Sequence, residues 1–123
     1  MIYITGATGH IGNNLVRELA KKGYDFKILA RKITPAIKDY ERHTIIGDIF
    51  SLAFLTKHIK QGDTLIHLAA YVNLKNTEKI LTEEINYTGT KTIANFCKEN
   101  NVYLLFSSSV DAIYSQDYLI QEP

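Results

Sequence analysis

The chain has 123 residues, 46% hydrophobic and 22% charged, with a net charge of +1 at neutral pH. That length suits one domain with a real core, and the near-neutral balance excludes the basic field by which a protein grips nucleic acid or an anionic membrane surface. Cys97 is the single cysteine, which excludes an intrachain disulfide and fits a reducing cytoplasm, and no run of about 18 apolar residues reads as a membrane span.

Residues 1–4 are an apolar run that reads as a first strand. It starts at Met1-Ile2, leaving no room for a signal peptide, so the sequon Asn86-Tyr87-Thr88 is read as a chance match. Thr5-Gly6-Ala7-Thr8-Gly9-His10-Ile11-Gly12 follows, with its glycines three residues apart. Glycine turns the chain tightly after a strand and lets a phosphate approach without a Cβ in the way. A helix that begins there points its free N–H groups and positive dipole end at that phosphate. Residues 10–22 carry Ile11, Leu15, Leu19 and Ala20 at helical spacing, and Gly23 is a stop signal.

Residues 26–30 read as strand two and 44–46 as a short strand three ending at Gly47-Asp48. Ser51 is placed to cap a helix running to about residue 60, with Leu52, Leu55 and Ile59 inward. Residues 64–68 are strand four. A long helix over 78–100 follows, with Ile80, Leu81, Ile85, Ile93, Ala94 and Cys97 as core candidates, and residues 102–106 are strand five. Short continuous apolar strands alternating with helices predict an α/β doubly wound parallel sheet, order 3-2-1-4-5, in one domain without repeats or linkers. Ligands on such a sheet bind at the carboxyl ends of the strands, near the switch between strands one and four.

Strand two ends in Leu29-Ala30-Arg31-Lys32. Folds that prefer NAD usually place an acid about 20 residues past the glycines, where it bonds the ribose 2′-hydroxyl. Here that acid is missing, and an arginine grips a 2′-phosphate with a bidentate charge-assisted pair. Arg31 as main ligand and Lys32 as helper predict NADP(H) as preferred cofactor, with NAD(H) the other candidate; a solvated strand end is the plain alternative.

Five landmarks stand in order: the glycine loop, Gly47-Asp48, His67-Leu68-Ala69-Ala70, Asn86-Tyr87-Thr88-Gly89-Thr90, and Ser107-Ser108-Ser109 followed by Val110-Asp111-Ala112. With them the chain resembles, over nearly its whole length, the N-terminal Rossmann portion of an extended short-chain dehydrogenase/reductase, the NAD-dependent epimerase/dehydratase family. Its wording is most similar to the dihydroflavonol-reductase and 3β-hydroxysteroid-dehydrogenase branch. The resemblance implies cofactor binding by Thr5, Gly6, Thr8, Gly9, His10, Ile11 and Gly12, and an adenine site at Asp48 and Ile49. It implies further cofactor contacts from Leu68, Ala69 and Ala70, and from Ser107 and Ser108 on the nicotinamide side. Catalytic roles fall on Ser109, for substrate and tyrosine, and on Asn86, which organises the active-site hydrogen bonds. Each has a plainer reading: Gly-Asp and triple serine are turn chemistry, Asn86 and Gly89 mark a local kink, and Tyr71 lines either the nicotinamide side or the core. His67, between apolar neighbours, reads as a buried structural histidine. No metal site is expected.

The family's chemistry also needs a tyrosine and a lysine four residues later, after the serine; the lysine lowers the tyrosine's pKa from about 10. Tyr71 with Lys75 and Tyr87 with Lys91 have that spacing but precede the serine, and Tyr114 and Tyr118 have no such lysine. Residues 1–123 are therefore expected to be the nicotinamide-dinucleotide-binding portion of a longer enzyme, binding cofactor without turnover, the substrate-binding C-terminal part being absent. The full protein would move a hydride between a nicotinamide and an oxygen-bearing carbon of a small molecule: a nucleotide sugar, a steroid- or flavonoid-like ketone, or a small aldehyde. Family members often form homodimers through the long helix. Two other readings stay open: a non-catalytic NADP-binding redox sensor, and a methyltransferase using S-adenosylmethionine, against which Ala30-Arg31 weighs.

Overall fold

The chain winds strand to helix from its start. β1 (Ile2–Thr5) leads to α1 (His10–Lys21), β2 (Phe26–Ala30) to a 3-10 helix (Pro35–His43), and β3 (Thr44–Ile46) to α2 (Leu52–His58). β4 (Thr64–His67) is followed by a π-helical turn (Glu84–Gly89), α3 (Thr90–Glu99) and β5 (Tyr103–Phe106). A computed structural model describes residues 1–70 and 84–107. The five strands are parallel in the order β3-β2-β1-β4-β5, as the sequence pattern predicts. Ile4 sits at the centre, level with Ile28 on one side and Ile66 on the other.

Alternating side chains send two cores to opposite faces of the sheet. Tyr3, Leu29 and Leu65 pack with Leu55, Ile93, Phe96 and Cys97 beneath α2 and α3. Ile4 and Ile28 pack with Val16, Phe26 and Ile37 beneath α1 and the 3-10 helix. Cover on both faces explains why β1, β2 and β4 read as continuous apolar runs rather than alternating ones; β5, at the edge, exposes Tyr103, Leu105 and Phe106.

The punctuation residues behave as their chemistry requires. Gly23 takes φ 76° just past α1, Tyr24 N donates to Leu19 O at 3.0 Å, and Gly23 N donates to Ala20 O at 3.2 Å. This is the paired closure of a helix end that needs a left-handed residue. Ser51 caps α2, with Phe54 N donating to its Oγ at 3.3 Å.

The helices depart from the sequence pattern in three places. Ile11 is 63% exposed and Ala20 is exposed; α1 buries Gly12 and Val16, with Leu15 and Leu19 half-buried. The period is right but the stripe is rotated, because Gly12 must back onto Gly6 and that swings Ile11 outward. Leu52, at the first position of α2, is 56% exposed, and the inward face is Leu55 and Ile59. The long helix is not uniformly α: residues 84–89 form a π turn before α3, and Phe96 joins Ile93 and Cys97 in the core. Residues 78–83, with Ile80 and Leu81, lie outside the described residues. The 3-10 helix was not anticipated: Ile37 is its one buried side chain, too little periodicity for a sequence signal.

Candidate functional site

A groove of about 580 Å³ opens at the carboxyl ends of β1 to β4. Gly6, Ala7, Thr8 and Gly9 form one wall, and Leu68, Ala69 and Ala70 continue from β4. The opposite wall is Leu29, Ala30, Arg31, Lys32 and Thr34, with Asp48, Ile49 and Phe50 after β3 and Ile85 from the π turn.

The three glycines have separate tasks. Gly6 takes φ 79°, and a Cβ there would strike the backbone of Leu68 and Ala69, so β1 and β4 leave the sheet in direct contact. A Cβ at Gly12 would strike the carbonyl oxygen of Gly6, so α1 starts pressed against the strand it follows. A Cβ at Gly9 would meet just Gly6 O, at 3.4 Å, and would otherwise stand in the groove. Gly9 is the N-cap of α1, with no side-chain cap and no acid in the first turn. The first internal bond runs from Asn13 N to Gly9 O at 2.9 Å, and Gly9 N donates to Gly6 O at 3.1 Å; the N–H groups of His10, Ile11 and Gly12 between them belong to the first turn, which has no carbonyl one turn back. Uncapped donors, the positive dipole end and a wall without side chains fit a phosphate or pyrophosphate.

Across the groove Arg31 and Lys32 are exposed cations. Asp48 is exposed and lines the groove, and its Oδ1 accepts from Phe50 N at 2.9 Å, an Asx turn that aims the following residues inward. Ile49 is 9% exposed, half core and half groove. The arc from Arg31 to Thr34 is fastened behind by Ile37 and by Asn13 Nδ2 donating to Ala36 O at 2.8 Å.

Beneath the floor, Thr5 Oγ1 accepts from Leu68 N at 3.1 Å and Ala69 N at 3.2 Å. It also lies 2.6 Å from His67 Nδ1. His67 is 1% exposed, as a structural histidine would be, and burial holds its pKa down at about 4.

The groove thus gathers Gly6, Thr8, Gly9, Arg31, Lys32, Asp48, Ile49, Leu68, Ala69 and Ala70 of the residues expected at a cofactor site. Thr5 and Gly12 are buried behind its wall, and His10 and Ile11 stand exposed on the first turn of α1. Asn86 is half-buried in the π turn beside Ile85, and Ser107 is exposed at the end of β5, away from the groove lining. Ser108, Ser109 and Tyr71 lie outside the described residues. Sequence reading passed over Ala7, Leu29, Ala30, Thr34, Phe50 and Ile85. Leu29, Ala30 and Phe50 stand at strand ends, where the switch-point rule could have found them; Thr34 and Ile85 have no such signal. Among the described residues, no cluster of three His, Cys, Asp or Glu side chains could hold a metal ion, and no helix is long and apolar enough to cross a membrane.

The chain is similar to known proteins in sequence and in fold. Ceramide reductase of Caulobacter vibrioides is 28% identical over 114 residues, covering 91% of this chain and 35% of its own. Human sterol-4-alpha-carboxylate 3-dehydrogenase, decarboxylating, is 27% identical over 112 residues, covering 90% of this chain and 29% of its own. Among solved structures, the epimerase Mth375 of Methanothermobacter thermautotrophicus superposes with a TM-score of 0.76 at 26% identity, over 99% of this chain and 39% of that one. The chain spans about a third of the length of the curated relatives it matches. The model of the NAD dependent epimerase/dehydratase family matches residues 2–122; with the sheet order, the glycine loop and the groove, this chain belongs to that family.

Proposed function

We propose that residues 1–123 are the dinucleotide-binding portion of a longer NAD(P)-dependent oxidoreductase, epimerase or dehydratase, and that the groove holds NADP(H) in preference to NAD(H). The observation that carries this reading is the groove at the switch between β1 and β4, with an uncapped helix end on one wall and two exposed cations on the other. The dinucleotide, when bound, supplies hydride transfer at an oxygen-bearing carbon of a small-molecule substrate. The chain's own residues bind and orient it. N–H groups at the start of α1 donate to the pyrophosphate, with Thr8 and Gly9 at its side. The Arg31 guanidinium takes the 2′-phosphate as a bidentate pair, and Lys32 adds charge. Asp48 accepts from the adenine amino group, and Ile49 and Phe50 shield the ring. Asn86 and Ser109 serve the catalytic hydrogen bonds of the full protein, which we place in the cytoplasm as a homodimer. By itself the 123-residue chain binds without turnover, since it carries no Tyr-x-x-x-Lys after Ser109.

Titration with NADPH and NADH, followed by calorimetry, tests this. NADPH should bind more tightly, and Arg31→Asp should weaken NADPH about a hundredfold, by removing a charge-assisted pair and adding repulsion, while NADH holds or improves. Equal binding of both dinucleotides, unchanged by Arg31→Asp, would refute the NADP assignment. Binding of neither would refute the groove's.

A further inference from the structure

The groove's floor is tied to Thr5, by its hydroxyl and by its carbonyl oxygen, which accepts from Leu68 N at 3.2 Å. Thr5 Oγ1 accepts the Leu68 and Ala69 amides, at 3.1 and 3.2 Å, and stands 2.6 Å from His67 Nδ1. A hydroxyl has two lone pairs and one hydrogen. The two amides take both lone pairs, so the hydrogen points to Nδ1, and Nδ1 carries none. A neutral ring bare at Nδ1 keeps its hydrogen on Nε2, and Thr90 Oγ1 lies 3.4 Å from Nε2 to accept it. The ring is flanked by two aromatic side chains. It stacks on Phe106 with centroids 6.1 Å apart, and meets Phe50 edge-on at 6.4 Å. Phe50 in turn lies against Gly89, at the end of the π turn, where a Cβ would strike its ring. One imidazole thereby touches β1, the loop after β3, α3 and β5.

We propose that His67, as the neutral ring protonated at Nε2, is a positioning residue of the dinucleotide groove. It turns the Thr5 hydroxyl so that its lone pairs hold the Leu68 and Ala69 amides, and it sets the distance from that floor to the turn that carries Ile85 and Asn86. A hydrogen on Nδ1 would meet the hydroxyl hydrogen, and turning the hydroxyl away would release the Ala69 amide, while Leu68 N would keep its bond to the Thr5 carbonyl. The groove's part in this rests on its assignment to a dinucleotide; the hydrogen-bond part does not.

The test uses histidine-labelled full chain and two amide replacements. His67→Asn puts an amide oxygen near the place of Nδ1 and keeps the acceptor for Thr5. His67→Gln reaches toward the place of Nε2 and loses it. Long-range nitrogen–proton spectra of the native chain at pH 7 should show His67 hydrogen-bearing at Nε2 and bare at Nδ1. Exchange of the Ala69 amide should speed up about tenfold in His67→Gln and stay near native in His67→Asn, and NADPH affinity should follow the same split. An Nδ1-protonated or doubly protonated ring at pH 7 overturns the proposal, as does equal exchange in the two variants. The tautomer is read on the native chain, so a variant that fails to fold does not remove the test. A native chain with the expected tautomer and exchange that binds no dinucleotide would uphold the His67–Thr5 link and refute the groove's assignment.

Discussion

The two walls of the groove are built from different materials. On the β1 and β4 side the wall is backbone and small residues, with Gly6 against Leu68 and Ala69, Gly12 against Gly6, and the floor tied to Thr5. On the β2 and β3 side it is side chains: Arg31, Lys32 and Asp48 are all exposed. In the proposed reading a backbone wall would meet what every dinucleotide shares, the pyrophosphate, through N–H groups that only proline removes. A side-chain wall meets what differs among dinucleotides, and it can be rewritten without disturbing the sheet. The first wall is thus part of the fold's stability, and ligand choice is proposed for the second.

The largest expected effect lies on the backbone wall. Gly12→Ala would drive its methyl into the carbonyl oxygen of Gly6, which β1 holds fixed. Overpacking against backbone should destabilise the chain by about 3 kcal/mol, read from the urea midpoint. A loss under about 0.5 kcal/mol would mean that α1 shifts freely on β1, and the division between the walls would fall.

The next effect is a pH dependence from the same wall. Folded, His67 takes a proton only near pH 4, against 6.5 for an ordinary ring, because burial disfavours its charge. The sign follows from the unfolded chain binding more protons between those values. Stability should be untouched above pH 6.5, fall as pH drops toward 4, and level off below. The total is about 3 kcal/mol for a shift of this size. Carboxylates titrate in the same range, so the informative quantity is the native slope minus that of His67→Asn. Equal slopes would place the ring's charge in water, contrary to its burial.

The sheet and its order were legible because parallel strands covered on both faces leave uninterrupted apolar runs, and because Gly23 and Ser51 mark helix ends by their own local chemistry. The glycine loop was legible for the same reason, since its spacing is a backbone requirement. What stayed hidden depends on tertiary rotation. Helical spacing places Ile11 with Leu15 and Leu19 but leaves α1's rotation open; the contact of Gly12 with Gly6 fixes it and turns Ile11 out. Asn86 and Gly89 were visibly poor α-helix residues, but that the answer is a π turn, with Gly89 making room for Phe50, needs the ring of a residue far away in the chain. Thr34 and Ile85 reach the groove through packing alone.

The smallest effect separates the walls most sharply, because it repeats the first substitution three residues earlier. Gly9→Ala adds the same methyl, but its Cβ meets just Gly6 O at 3.4 Å and is otherwise in the open groove. Alanine is a poorer N-cap than glycine, so stability should change by no more than about 1 kcal/mol. Affinity for NADPH and NADH should fall together, about tenfold, because the methyl stands where a shared phosphate would approach. Arg31→Asp, on the opposite wall, should move NADPH alone. If Gly9→Ala instead discriminated between the two dinucleotides, the pyrophosphate would not lie over Gly9. The backbone wall would then be reading the distinguishing phosphate, which the cations of the other wall are proposed to hold.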